Sequence, residues 1–158
     1  MRLEIREARP GDGAALHAMM LALAHSHDLA SHVTAIPQDF EDALFCKSPI
    51  IGALIAEVDG VAAGSALWHR SFGSFRGKEV MYLEDLSVLP EFRRRGVGQA
   101  LLKAVAQLAV SKGFPSIYWM MMGWNDGARA LYEAVGAEIE GDMCYCRIHG
   151  EALERLAR

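Results

Sequence analysis

The chain has 158 residues and a formal net charge of −4, a length that suits one domain burying on the order of 70% of its unfolded surface. About half the residues are hydrophobic and a quarter charged, an ordinary globular balance that excludes a disordered or collagen-like chain. The mild acidity does not favour nucleic acid as a partner, and no apolar run reaches membrane-spanning length. The N-terminal run MRLEIREARPGD lacks the apolar core of a signal peptide. Cys46, Cys144 and Cys146 fit neither a zinc knuckle nor a disulfide framework. A cytoplasmic protein with reduced thiols is the expectation.

In chain order, Leu3, Ile5 and Ala8 mark a first strand, and Pro10-Gly11-Asp12 breaks it. Residues from Gly13 to about His27 are rich in Ala, Leu and Met and predict a helix. Pro37 opens a second helix through Phe40, Ala43, Leu44 and Phe45. Ile50–Val58 and Val61–His69 flank the hairpin signal Asp59-Gly60. A second turn, Ser71–Gly77, leads to a strand from Lys78 to Leu89, which Pro90 stops. Gly96 to Lys112 is a helix with Val97, Leu101, Ala104, Val105 and Leu108 on one face, closed by Gly113. Ser116–Met122 reads as a buried strand and Asn125–Val135 as a helix ended by Gly136. Two short strands, near Glu138 and over Tyr145–Ile148, and a charged helix from Gly150 complete the order. The fold class is α/β: a mixed, mostly antiparallel sheet flanked by helices, in a single domain spanning residues 1–158.

The stretch YLEDLSVLPEFRRRGVG, Tyr82 to Gly98, carries the functional signal. Arg93, Arg94 and Arg95 precede Gly96-Val97-Gly98 at a helix start, where unpartnered N–H groups and the helix dipole favour an anion. The lysine of a nucleoside-triphosphate loop and the third glycine of a dinucleotide fingerprint are both missing. A turn glycine pair beside a solvated basic face is the alternative on these six residues alone.

Arg93-x-x-Gly96-x-Gly98 after a strand resembles the pyrophosphate motif R/Q-x-x-G-x-G/A of the GCN5-related N-acetyltransferases (GNAT). The runs YLEDLSVLPEFRRRGVGQALL and WNDGARALYEAVGAE follow that family's order, with the strongest similarity over about Val80–Ala137 and to the diamine (spermidine/spermine-like) acetyltransferases. The resemblance implies the GNAT acyl-CoA N-acyltransferase fold and acetyl-CoA as co-substrate. It implies transfer to a primary amine, a diamine or polyamine, by direct attack in a ternary complex. Cofactor contacts would come from Leu86, Ser87, Val88, Arg93, Arg94, Arg95, Gly96, Val97, Gly98, Gln99, Asn125 and Tyr132. Leu86, Ser87 and Val88 would act through their backbone, where the strand splays at a bulge. Tyr132 would protonate the leaving thiolate, and Glu84 would take the proton of the amine. Glu84 and Asp85 would both bind the cationic acceptor. By alternation the two carboxylates point to opposite faces of a strand, so the residues themselves suggest separate tasks for them, with a structural ion pair to an arginine as the alternative.

His25, His27 and His32 match no zinc spacing, so no metal is expected. Phe72 and Phe75 lie in a glycine-flanked loop suited to the acceptor wall, a dimer contact or a plain loop anchor. A homodimer is expected from the resemblance. The segment Asp28–Ile36 and the surroundings of Met143 depart from the diamine enzymes, so the acceptor stays open to an amino acid, an aminoglycoside or a protein N-terminus. A non-catalytic acyl-CoA-binding module is the reading from another class.

Overall fold

The computed structural model describes residues 1–158. It forms two compact units, Met1–Met122 and Gly123–Arg158. The first unit holds a five-stranded sheet in the order β1-β2-β3-β4-β5. β1 is Leu3–Glu7, β2 Ile51–Val58, β3 Val61–Gly73, β4 Lys78–Val88 and β5 Ile117–Tyr118. The first four are antiparallel neighbours, while β5 lies parallel to β4. The expected mixed, mostly antiparallel sheet is the one observed.

Three helices accompany the sheet: α1 (Gly13–Ser26), α2 (Pro37–Phe45) and α3 (Val97–Ser111). Pro37 occupies the first turn of α2, and the Asp39 carboxylate accepts the Ile36 N–H at 2.8 Å. α1 begins where Asp12 accepts two hydrogen bonds from the Arg6 guanidinium, at 2.7 and 3.0 Å, while Arg6 Nε also reaches Glu57 at 2.7 Å. One arginine thus joins β1, β2 and the mouth of α1. The bond from Arg6 holds the Asp12 carboxyl below its ordinary range. Leu16, Met19, Leu44, Ala53 and Ile55 pack as the core on the α1–α2 side. Val97, Leu101 and Val105 are fully buried, so the face of α3 expected from its spacing is the one that packs.

Ser116–Met122 is not a buried strand. Only Ile117 and Tyr118 pair with β4, opposite Met81 and Tyr82, and Tyr118 and Met120 are half exposed. The cause lies on the partner strand, which bulges just beyond Tyr82. A bulge bends its strand and ends pairing on the neighbouring edge.

The second unit contains α4 (Asp126–Ala134) and α5 (Gly150–Leu156). The two strands expected near Glu138 and over Tyr145–Ile148 are absent. Residues 140–149 are exposed throughout. A two-stranded pairing with no packed face is marginal in water, and this stretch buries no such face. No helix of the molecule is long and apolar enough to cross a membrane. All three cysteines are free thiols at the surface.

Candidate functional site

The site is built around one irregularity. β3 and β4 pair Leu67 with Asp85 but Trp68 with Leu83, so Glu84 is the extra residue of a bulge. Strict alternation fails there. Asp85 and His69 share the face of Leu67, because residues two apart in a strand point the same way. The Glu84 carboxylate reaches that same neighbourhood, 3.5 Å from His69 Nε2. The opposite faces expected for Glu84 and Asp85 are therefore not what the strand provides: the bulge brings both carboxylates to one region.

Asp85 lines a small cavity with Leu16 and Met20 of α1, Phe40 of α2, and Ser65, Leu67 and Ser87 of the sheet. Removal from water raises its carboxyl to a pKa of about 6, and the negative charge of Glu84 adds to the rise. Neither carboxylate is bonded to an arginine, so the ion-pair alternative fails. Glu84 is the more exposed and sits beside the His69 ring.

Toward its C-terminal end β4 has one open edge. Pairing with β5 stops at Tyr82. On the other edge Leu89 N–H donates to Ala63 C=O at 2.9 Å. In an antiparallel ladder, alternate residues turn both backbone groups to the same neighbour. Leu89 and Ser87 thus face β3, and Leu86 and Val88 face the open edge. The Val88 carbonyl accepts a 2.9 Å bond from Arg93 Nε, which agrees with this direction. Ser87 is committed elsewhere: it lies opposite Ser65, and its hydroxyl donates to the Met19 carbonyl at 2.7 Å.

Pro90–Phe92 makes a single tight turn, and the chain then enters α3 through a strained loop. Arg94 (φ 60) and Gly96 (φ 81) both lie in the left-handed region. Gly96 is the N-cap residue, without a side-chain cap, and no acidic residue occupies the first turn. The first intrahelical bond is donated by Ala100 to Gly96. The N–H groups of Val97, Gly98 and Gln99 precede it and have no helical acceptor. Arg93, Arg94 and Arg95 are exposed around this mouth, with Arg95 over the Phe92 ring at 5.9 Å.

In the second unit Asn125 is the N-cap of α4, its Oδ1 accepting from Ala128 N–H at 3.0 Å. This leaves its amide NH₂ as donor. Tyr132 is buried, and burial raises its phenol above the ordinary value.

His25 and His32 are exposed, and no three His, Cys, Asp or Glu side chains gather as a metal group. His69 is the residue that sequence reasoning missed. Only the cross-strand register, His69 opposite Tyr82, brings it to Glu84.

Residues 17–137 match the profile described as the Acetyltransferase (GNAT) family. A thialysine N-epsilon-acetyltransferase of Bos taurus is 32% identical, over 97% of this chain and 96% of that protein. An L-ornithine N5-acetyltransferase of Arabidopsis thaliana is 37% identical over 62% of this chain and 43% of its own. Among solved structures, an aminoglycoside N-acetyltransferase in complex with CoA superimposes with a TM-score of 0.74 at 25% identity, covering 94% of this chain and 96% of that one.

Proposed function

This chain belongs to the acetyltransferase (GNAT) family and transfers an acetyl group from acetyl-CoA to an amine, and from that premise we propose how its residues divide the work. The pyrophosphate of acetyl-CoA sits over Arg94–Gln99, on the N–H groups of Val97, Gly98 and Gln99, with the three arginines supplying charge. The amides of the pantetheine arm pair with the outward backbone groups of Leu86 and Val88, as an added strand would. The open edge of β4, ending at an uncapped helix mouth, is the observation that carries this reading. Arg93 holds the Val88 carbonyl and so steadies the last residue of that edge. By the family resemblance the NH₂ of Asn125 is a cofactor contact.

The amine must be neutral to attack. Glu84, exposed on the bulge, takes its proton. Asp85 holds the cationic remainder of the acceptor. Two carboxylates close together repel each other, and an ammonium group relieves that repulsion. Attack is direct, in a ternary complex. As the C–S bond breaks, the Tyr132 hydroxyl gives its proton to the thiolate.

We infer that the acceptor is a small open-chain aliphatic amine carrying a second cationic nitrogen. Thialysine, ornithine, diamines and polyamines share that group, and two relatives are named for the first two. Turnover of acetyl-CoA with thialysine, ornithine, spermidine and an aminoglycoside tests this. Preference for the aminoglycoside would reject the acceptor class, and binding without any turnover would instead support a non-catalytic acyl-CoA-binding module. We also infer one cytoplasmic acetyltransferase domain made of both units, acting as a homodimer. The family match crosses the boundary between the units, and Phe72 and Phe75 stand exposed where β3 turns into β4. Light scattering at micromolar concentration that gave the chain mass of 17.3 kDa would reject the dimer.

A further inference from the structure

His69 has no task in the scheme above, yet its ring is tightly defined. Its Nδ1 lies 3.0 Å from the Arg70 carbonyl oxygen. A carbonyl only accepts, so this bond requires the hydrogen on Nδ1. In the neutral ring Nε2 then carries the lone pair. Nε2 is the nitrogen that faces Glu84 Oε2, at 3.5 Å. The ring stacks on Tyr82, with centroids 4.9 Å apart and planes inclined by 26°. About a third of the His69 side chain is exposed, so the ring has its own way to solvent.

We propose that His69 is a proton relay acting through Glu84: the carboxylate takes the proton of the acceptor ammonium and passes it to His69 Nε2. This rests on the reading of Glu84 as the base. In the first step an N–H bond of the ammonium breaks, and the proton goes to Glu84 Oε2. The freed lone pair attacks the thioester carbonyl, so that a C–N bond forms and the C–S bond breaks. The acylated nitrogen sheds its second N–H proton, which balances the proton taken up by the leaving thiolate, so that only the first proton is left over. The proton on Glu84 then moves to Nε2. The resulting imidazolium keeps its Nδ1–H on the Arg70 carbonyl, and Glu84 is again a carboxylate beside a cation. The exposed ring returns the proton to solvent. No oxidant or further reactant is needed.

The magnitudes favour a relay over a lone carboxylate. Alkylammonium groups as a class are weaker acids than carboxylic acids by about 6 pKa units, but weaker than imidazolium by only about 4. Delivering the proton to an imidazole therefore makes the transfer roughly 100-fold less unfavourable. The other groups near the ring do not compete for this role. Asp85 lies on the same face but lines the cavity under α1 and α2. Tyr82 offers its ring face. The Arg70 guanidinium lies 3.8 Å from Glu79.

The test pairs kinetics with a spectroscopic signature. Acetyl transfer to L-ornithine and to spermidine is followed across pH 6 to 10 for the wild type, His69→Gln, Glu84→Gln and the double variant. His69→Gln is expected to lower kcat by ~10–100-fold near pH 7 and to approach the wild type near pH 10, where more amine is neutral. Its KM for acetyl-CoA should not change, and the double variant should be no worse than Glu84→Gln. A normal His69→Gln profile beside an impaired Glu84→Gln would overturn the relay and leave Glu84 as the base. Full activity in both variants would overturn the relay and the reading of Glu84 together, and additive losses would overturn the relay. In the unsubstituted protein, ¹H–¹⁵N spectra of the imidazoles should show His69 as the Nδ1–H tautomer, with shifts that respond to Glu84→Gln. An Nε2–H tautomer, or no response, would sink the proposal even if a variant failed to fold.

Discussion

The two stretches on either side of Leu89 contrast sharply. After it, Arg93–Gln99 presents backbone N–H groups at a bare helix mouth, its three arginines add charge, and Arg93 also holds the Val88 carbonyl. Before it, Tyr82–Val88 works through a bulge, an open edge and carboxylates whose directions depend on pairing with β3. The first is local: a helix start has unpartnered donors wherever it lies. The second is relational, since shifting the register by one residue would turn every side chain over. The proposed pyrophosphate site, made by the first kind of stretch, should tolerate changes in the neighbouring sheet. The proposed pantetheine edge and acceptor site, made by the second kind, should not.

The largest effect is expected from a change in neither stretch. Tyr132→Phe removes the proposed proton donor to the thiolate and should lower kcat by ~10²–10⁴-fold while acetyl-CoA affinity stays close to that of the wild type. Turnover undiminished where chemistry limits the rate would leave α4 with binding alone. Next comes the backbone stretch. Gly98→Val puts a branched side chain among the helix-mouth N–H groups. Losing two charge-assisted hydrogen bonds at ~1.5–3 kcal/mol each implies ~100-fold weaker acetyl-CoA binding or more. Calorimetry giving unchanged affinity in a folded variant would move the pyrophosphate elsewhere. In the relational stretch, Glu84→Gln should cut the rate by ~10²-fold near pH 7 and regain it toward pH 10, whereas Tyr132→Phe should show no such recovery. Parallel pH profiles for the two variants would erase the distinction between the base and the acid.

The smallest effect is on stability. Asp85 in the folded chain keeps its proton up to about pH 6, whereas an ordinary aspartic acid loses it near ~4. Between these values the folded state binds more protons than the unfolded one, so stability falls as pH rises. The loss is complete above pH 6. Asp85→Asn has no charge to desolvate. It should melt with the wild type below pH 4 and roughly a few degrees higher above pH 6. A wild-type Tm that rose between pH 4 and 6 by more than that of Asp85→Asn would show that the carboxylate is stabilised in the folded chain.

Much of this was legible in the chain. Pro37, Asp59-Gly60, Pro90 and Gly113 punctuate the sequence where helices and strands begin or end. The spacing of Val97, Leu101 and Val105 identified the buried face of α3. These signals are local, set by backbone geometry and by period, and they carried the α/β class and the loop at the start of α3. Local pattern also misled. Ser116–Met122 has the apolar run of a buried strand, but it pairs over two residues because β4 bends away. Tyr145–Ile148 has strand-forming residues and no ladder.

By itself, then, the sequence determined the order of the elements as far as α4, the helix-mouth loop and the identity of the chemical groups: two adjacent carboxylates, a tyrosine on a helix, and three arginines before a glycine pair. Tertiary structure alone decided how those groups meet. The bulge at Glu84 placed both carboxylates in one region, the ladder to β3 turned Leu86 and Val88 outward and Ser87 inward, and the register set His69 against Glu84. The physical reason is that the partner of a strand residue lies far away in sequence, across a loop whose length does not encode the register. Pairing is chosen by the packing of a whole sheet face, so the direction of a strand side chain is known only once that face has closed.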